Sequence, residues 1–229
     1  MKIAEIFYSI QGEGKLIGVP SVFVRASGCN LRCVWCDTPY ASWEPEGENF
    51  PIDQIVTEVA KYSARHVVVT GGEPMIMPDI FDLCGALMAA GQHITVETAA
   101  TVYKPVRCDL ASLSPKLSNS TPHDREGGRF AATHERLRIN IPVIQQFIDA
   151  APDFQLKFVV SDEPDLVEIR TILSQLHGWS PADVQLMPEG IEPVSLQSRS
   201  CWLAEICKNT GYRFCPRLHV MLYGNKRGT

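Results

Sequence analysis

The chain has 229 residues, of which 45% are hydrophobic and 21% charged, an ordinary composition for a folded globular protein. Its formal net charge of −5 and the lack of a convincing basic patch exclude broad binding to a nucleic-acid backbone. No apolar run reaches the roughly 20 residues that cross a bilayer, and the first residues contain no signal-peptide core. We therefore expect one domain over residues 1–229, in the cytoplasm, without nucleic-acid or membrane partners.

Short β-branched runs alternate along the chain with segments of helical spacing. Strands are predicted at 21–26, 66–70, 94–97, 109–113, 156–160 and 184–187. Helices are predicted at 52–60, 79–90, 141–150, 164–176 and 196–210. The stretch 116–138 is polar, contains glycines and has no period, so we interpret it as a long loop. The alternation predicts an α/β fold, a partial and open parallel β/α barrel of about six strand–helix units.

Three of the 8 cysteines lie in one loop directly after the first of these strands. Cys29, Cys33 and Cys36 are spaced C-x3-C-x2-C. A structural zinc site takes four protein ligands, and no fourth Cys or His lies nearby in the sequence. Three thiolates on a four-iron cluster leave one iron open for a chelating ligand. Because ligands bind at the carboxyl ends of parallel strands, the loop predicts a cluster site.

The alternative for this loop is a zinc knuckle completed by a distant ligand, such as His66 or one of the later cysteines. We assign the other cysteines to packing, since Cys84 falls on the apolar face of a helix and Cys108 opens a buried strand. Three more are spaced too irregularly to suggest a second cluster: Cys201, Cys207 and Cys215.

The cysteine loop resembles the signature of the radical S-adenosylmethionine superfamily. The segment 70–74 (TGGEP) resembles the second motif of that superfamily, a glycine turn after a strand. The glycines allow close backbone approach, and Glu73 suits a cation. The resemblance implies a [4Fe–4S] cluster on Cys29, Cys33 and Cys36, and S-adenosylmethionine on its open iron. The residues it assigns to cofactor binding are Trp35, Cys36, Asp37, Gly72, Glu73, Ser114, Pro115, Lys116, Gln185, Leu186, Met187 and Pro188.

Within that superfamily, the sequence resembles the 7-carboxy-7-deazaguanine synthase family. The similar segments are 7–14 (FYSIQGEG), 18–21 (GVPS), 23–25 (FVR), 36–38 (CDT) and 223–228 (YGNKRG). The resemblance implies a carbon–nitrogen lyase that converts 6-carboxy-5,6,7,8-tetrahydropterin to 7-carboxy-7-deazaguanine with loss of ammonia, toward queuosine. It also implies a magnesium-dependent homodimer that takes electrons from a donor such as flavodoxin or ferredoxin. The cluster and the cofactor radical carry the chemistry, so no side chain is assigned a catalytic role.

The residues assigned to the substrate are Ile10, Gln11, Gly12, Glu13, Arg25 and Thr70. Their chemistry suits a flat, acidic heterocycle, because Gln11 both donates and accepts, Glu13 accepts from ring N–H groups, and Arg25 pairs with a carboxylate. The resemblance implies magnesium at Thr38, although by composition Thr38 is equally suited to cap a helix. The ordinary alternatives are a surface turn for 11–14 and a structural ion pair for Arg25.

The sequence alone leaves two other functions open. An activase of glycyl-radical enzymes shares the cluster loop and the small size, but it acts on a large protein and does not need the motif at 11–14. A non-catalytic metal-binding module would use the three cysteines structurally and would hold zinc without labile sulfide.

Overall fold

In the computed structural model, which describes all of residues 1–229, nine strands form a single sheet. The strands are β1 (Lys2–Ile10), β2 (Pro20–Ala26), β3 (Glu48–Asn49), β4 (His66–Gly71), β5 (His93–Thr98), β6 (Leu110–Leu113), β7 (Phe154–Val160), β8 (Val184–Pro188) and β9 (Arg213–Phe214). Their order in space is β3-β1-β2-β4-β5-β6-β7-β8-β9. From β2 onward in this order all neighbours are parallel, whereas β1 is antiparallel to β2 and β3. The two edges do not meet, so the predicted open parallel sheet is confirmed.

Helices connect most of the successive parallel strands. They are α1 (Pro39–Ser42), α2 (Ile52–Val59), α3 (Ile80–Ala89), α4 (Ala131–Leu137), α5 (Ile141–Ala150), α6 (Glu163–Leu173), α7 (Pro193–Thr210) and α8 (Leu218–Tyr223). The connection between β5 and β6 contains no helix. None of the helices combines the length and the apolar character that crossing a membrane requires.

The central strands are buried on both faces, which explains why they read as continuous apolar runs. Val67, Val68 and Val69 of β4 are at most 2% exposed. In a parallel sheet covered by helices, neither face meets water, so the pattern is uniform rather than alternating. One apolar core of 36 buried residues joins these strands to the helices that cover them.

The prediction of a long loop at 116–138 is wrong. The structure has 3-10 turns at Ser118–Ser120 and Arg125–Gly128, followed by α4. The only side chain that α4 buries is His134, so its sequence carries no apolar period that could indicate a helix. His134 accepts a hydrogen bond from the Arg32 backbone N–H at 3.1 Å, and this helix therefore supports the cysteine loop.

Two further elements, β1 and α8, were not predicted from the sequence. Most of β1 is only partly buried, because it lies near the edge of the sheet and pairs with the two-residue β3 on its outer side. Both elements matter for the site, since Gly12, just after β1, accepts a backbone hydrogen bond from Leu218 at 2.9 Å. A side chain at position 12 would collide with the His219 imidazole, which explains the glycine.

Candidate active site

The carboxyl ends of the parallel strands open into one large cavity of about 510 Å³. Arg25 reaches it from β2, Thr70 from β4, Glu97 from β5 and Lys157 from β7. The crevice at this end of the strands is where open α/β sheets bind ligands. We therefore expect the predicted cluster, cofactor and substrate sites to lie in this cavity.

The cysteine loop forms one wall of the cavity, and Cys29, Cys33 and Cys36 all line it. The loop is held in a fixed shape by hydrogen bonds to its backbone. The Trp43 indole donates to the Cys33 carbonyl at 3.0 Å, and the Arg32 guanidinium donates to the Cys29 carbonyl at 2.7 Å. These hydrogen bonds fix the positions of the thiols, and a metal cluster bonded directly to the sulfurs requires such fixed ligands.

The Gly71-Gly72 turn packs directly against this loop. Gly71 has a φ of +142°, which side chains rarely tolerate. A Cβ at Gly72 would lie 2.2 Å from the Gly28 carbonyl oxygen and 2.4 Å from that of Ala41. Both glycines are therefore required for the second motif to approach the first.

The three thiols fit an iron–sulfur cluster better than a single metal ion. No three His, Cys, Asp or Glu side chains are grouped closely enough to hold one ion, whereas zinc needs its sulfur ligands at about 2.3 Å. A four-iron cluster binds each thiolate through a different iron, which separates the sulfurs. Burial raises the pKa of Cys29 and of Cys33 to about 12, so positively charged iron is what would stabilise their thiolates.

The position of His66 in the sheet excludes it as the distant ligand of a zinc knuckle. His66 begins β4, and its ring packs against His93 with centroids 4.6 Å apart. The cavity lies at the other end of the strand, where Thr70 and Gly71 line it. At about 3.3 Å per residue, His66 and Gly71 are separated by roughly 16 Å.

Of the residues assigned to S-adenosylmethionine, seven line the cavity: Trp35, Cys36, Asp37, Gly72, Ser114, Lys116 and Met187. The Trp35 indole is fixed by donating to the Asn119 carbonyl at 3.1 Å. The Lys116 ammonium donates to Ser114 Oγ at 2.7 Å and lies 5.9 Å from the centre of the Trp35 ring. These side chains form an aromatic and polar wall beside the cysteines.

The structure does not bring the other five assigned residues to the cavity surface: Glu73, Pro115, Gln185, Leu186 and Pro188. Glu73 is 0% exposed, and its carboxylate accepts from the Met75 and Ala99 backbone N–H groups and from Thr98 Oγ1 at 2.7–3.0 Å. Burial raises its pKa. In this structure Glu73 fixes the turn after β4 to the end of β5, and its oxygens are not offered to a cation in the cavity.

All six residues assigned to the substrate line the cavity: Ile10, Gln11, Gly12, Glu13, Arg25 and Thr70. Glu97, which was not predicted from the sequence, connects two of them. Gln11 Nε2 donates to Glu97 Oε1 at 3.1 Å, and Thr70 Oγ1 donates to Glu97 Oε2 at 2.9 Å. A carboxylate near the carboxyl end of a largely buried parallel strand was the signal that could have identified it.

Glu13 lies in a buried ion-pair network that the sequence analysis also missed. Its Oε2 pairs with Lys157, and its Oε1 accepts from Arg217 Nε at 3.1 Å. Arg217 also pairs with Asp37 in the cysteine loop. Burial alone would raise the pKa of Glu13, but the two cations hold it well below its usual range. Glu13 is therefore an anion that ties the loop after β1 to the cysteine loop.

Thr38 immediately precedes α1, but its side chain makes no capping hydrogen bond to that helix. Its hydroxyl lines the cavity, with Oγ1 3.8 Å from Cys36 Sγ. The Thr38 side chain therefore does not cap α1, contrary to the alternative considered from the sequence. A hydroxyl whose one side-chain hydrogen bond is this long contact with the Cys36 sulfur is a suitable oxygen ligand for a hard cation beside the cluster loop.

We expect Thr38→Ala to weaken the activation of turnover by magnesium, and Thr38→Ser, which keeps the hydroxyl, to weaken it less. The cluster spectrum should not change, because a hard cation bound through oxygen makes no use of thiolates. Titration of turnover with magnesium after chelation, on wild type and both variants, provides the measurement. Identical metal-dependence curves for wild type and both variants would show that Thr38 is not a magnesium ligand.

Comparison with known proteins identifies the family. The model of the Radical SAM superfamily matches residues 23–117, which include the cysteine loop and the glycine turn. A relative from Rhodopirellula baltica is 47% identical over 227 residues, covering 99% of this chain and 88% of its own length. A relative from Halobacterium salinarum is 46% identical over 235 residues, covering 98% and 91%. Both are named 7-carboxy-7-deazaguanine synthase. The chain belongs to this family.

Solved structures agree with this membership. The crystal structure of QueE from Escherichia coli matches with a TM-score of 0.70 and 25% identity, covering 95% of this chain and 94% of that one. The structure of Streptococcus suis SuiB bound to S-adenosylmethionine, at 14% identity and a TM-score of 0.57, shares the fold.

Membership confirms the sequence-based prediction of the enzyme class and of its cofactors. The chain is a radical S-adenosylmethionine enzyme of the deazaguanine synthase kind, with a [4Fe–4S] cluster, S-adenosylmethionine and magnesium as its cofactors. Relatives that match over nearly the whole chain exclude the two rivals, the activase and the non-catalytic metal module.

Proposed function

We propose that this enzyme converts 6-carboxy-5,6,7,8-tetrahydropterin to 7-carboxy-7-deazaguanine with loss of ammonia, a step toward queuosine and related deazapurines. The observation that carries the proposal is the composition of one cavity. Three cysteines line it together with Gln11, Thr70, Glu97 and the Arg25 guanidinium. That combination suits a radical reaction on a flat, polar and acidic ring.

The substrate would be recognised by paired donors and acceptors. Gln11 and Thr70 are already joined through Glu97, so their remaining donor and acceptor positions are held in fixed directions. A site built this way penalises an analogue that lacks a matching N–H or carbonyl group, because buried polar atoms are then left unpaired. The Arg25 fork would bind the substrate carboxylate, as its geometry matches two carboxylate oxygens.

The cluster, held by Cys29, Cys33 and Cys36, and S-adenosylmethionine would supply radical chemistry at substrate C6 from a carbon of the cofactor. The protein's task is to hold the substrate against that carbon and to exclude water. Arg217 serves this task by bridging Glu13, on the substrate side, to Asp37, on the cofactor side.

We assign the cluster to Cys29, Cys33 and Cys36, and magnesium to Thr38. S-adenosylmethionine would contact the seven cavity-lining residues of the wall that contains Trp35, Asp37 and Lys116. The role of Glu73 is indirect, since it fixes the turn that carries Gly72.

We also propose that residues 1–229 form one domain, that the enzyme is a homodimer, and that a flavodoxin or ferredoxin reduces the cluster. A single sheet that runs from Lys2 to Phe214 supports the first of these. None of the eight cysteines forms a disulfide, which suits the reducing cytoplasm.

Anaerobic turnover tests the function. The protein with its cluster reconstituted is incubated with S-adenosylmethionine, magnesium, reductant and the carboxytetrahydropterin. We expect the deazaguanine chromophore to form together with ammonia, and tetrahydropterin without the carboxylate to give no product. Cleavage of S-adenosylmethionine without any deazaguanine would assign the chain to another radical reaction.

A further inference from the structure

Glu5 of β1 is a largely buried carboxylate that contacts three side chains of the cavity wall. Its Oε1 accepts from Arg25 Nε at 2.7 Å and from the Tyr40 hydroxyl at 2.8 Å, and its Oε2 accepts from Arg227 Nε at 3.3 Å. Arg25, Tyr40 and Arg227 line the cavity, whereas Glu5 does not. The Glu5 side chain is only 12% exposed. Glu5 therefore acts on the cavity through its partners.

The contact with Arg25 determines which part of the guanidinium is available. Glu5 occupies Nε, and the guanidinium makes no other hydrogen bond in the structure. The group lies 5.6 Å from the centre of the Phe7 ring, which restricts its plane. The two terminal nitrogens of Arg25 remain available to bind both oxygens of a carboxylate. Glu5 and the Phe7 ring hold these nitrogens in one orientation before a ligand binds.

The contact with Arg227 holds the chain segment 225–229, all five residues of which line the cavity. Arg227 also pairs with Glu46 Oε2 at 2.8 Å, donates to the Ala4 carbonyl at 3.1 Å, and lies 4.1 Å from the Tyr40 ring centre. The Glu46 side chain is 57% exposed and makes no hydrogen bond to Arg25 or to the Tyr40 side chain, although the Glu46 backbone N–H donates to the Tyr40 carbonyl at 2.8 Å. The segment thus has one exposed anchor and one buried anchor, and only the buried anchor also binds the substrate-side arginine.

We propose that Glu5 is a positioning residue that couples the orientation of Arg25 to the closure of segment 225–229 over the cavity. The inference rests on the proposed function in taking the substrate carboxylate as the ligand of Arg25. Burial and the bond to Glu5 raise the pKa of Tyr40 to about 12, so its hydroxyl stays a donor and keeps Glu5 in place. Orienting both groups before the substrate arrives lowers the entropy cost of binding it.

The test compares Glu5→Gln with Glu46→Gln in the cluster-loaded enzyme. Glu5→Gln keeps the shape but loses the charge that attracts both arginines, so the KM for the carboxytetrahydropterin should rise about tenfold or more, with a smaller fall in kcat. Trypsin should cleave after Lys226 and Arg227 faster than in wild type. Glu46→Gln removes only the exposed anchor, which contributes little, so trypsin cleavage should speed up less than in Glu5→Gln and KM should change less than about twofold.

A second readout does not depend on turnover. Equilibrium binding of the carboxytetrahydropterin to the cluster-loaded, oxidised protein should weaken in Glu5→Gln by the same factor as KM. If Glu5→Gln does not fold, Tyr40→Phe removes one of the hydrogen bonds that hold Glu5 and should show a smaller shift of the same kind in both readouts.

A folded Glu5→Gln protein with wild-type KM, or with a wild-type trypsin pattern, would overturn the proposal. An equal rise in KM in Glu46→Gln would do so as well, because the effect would then belong to the segment alone. A wild-type enzyme that neither binds nor converts the carboxytetrahydropterin would instead refute the proposed function.

Discussion

Cys36→Ala is expected to abolish formation of the deazaguanine. Each thiolate forms a direct bond to one iron, so its loss removes the cluster or leaves an incomplete one. Cys36 lies at the cavity wall with its sulfur 3.1 Å from Ser42 Oγ, and no other cysteine lines the cavity besides Cys29 and Cys33. The same result is expected for those two positions. Iron and sulfide content, the visible absorbance of the cluster and product formation provide the measurement.

Cys201→Ser is the matched control for this change. Cys201 is exposed on α7 and does not line the cavity, so iron content and turnover should equal those of wild type. The buried Cys84, Cys207 and Cys215 are less suitable, because substitution in the core also costs stability. Full activity in Cys36→Ala would contradict the assignment of the cluster to this loop.

Arg25→Lys is expected to weaken substrate binding by about 2–5 kcal/mol, roughly 30-fold or more in KM. Lysine keeps the charge but loses the planar fork, so one ammonium must serve both Glu5 and the substrate carboxylate. The Arg25 side chain is only 16% exposed, so water does not replace the lost hydrogen bonds easily. Steady-state kinetics and equilibrium binding of the carboxytetrahydropterin measure the loss.

The carboxylate-free tetrahydropterin separates this role from a structural one. Its binding should be nearly equal in wild type and Arg25→Lys, because it presents nothing to the fork. Arg65→Lys, an exposed arginine just before β4 and away from the cavity, should leave both ligands unaffected. If Arg25→Lys binds the carboxylated substrate as wild type does, Arg25 is only the partner of Glu5.

Local sequence patterns predicted the parts of the fold and site that depend on neighbouring residues. The cysteine spacing, the motif at 11–14 and the apolar runs of the central strands each lie within one short segment, so their period or spacing is visible in the sequence. The strand His66–Gly71 and the helix Ile141–Ala150 follow the predicted boundaries closely for this reason.

The residues that the sequence analysis missed depend on partners far along the chain. Lys157 stands inside the apolar strand β7 and pairs with Glu13, 144 residues earlier. Glu97 binds Gln11, 86 residues earlier, and Glu5 binds Arg227 from the opposite end of the sequence. A buried lysine or glutamate indicates that a partner exists, but no local pattern names it. Glu73 is the opposite case. Its motif suggested contact with a ligand, but its carboxylate oxygens accept hydrogen bonds from nearby backbone N–H groups.

The Arg217 bridge has a consequence for how the chain assembles during synthesis. Arg217 joins Glu13 across 204 positions and Asp37 across 180, so both carboxylates leave the ribosome long before the cation that links them. Contacts of such separation form late, because a long loop must close first. Until then the cofactor-side and substrate-side walls have no ion pair between them. We therefore expect the nascent chain to present its cysteine loop while the cavity is still open, and iron delivery to be easiest before residue 217 docks.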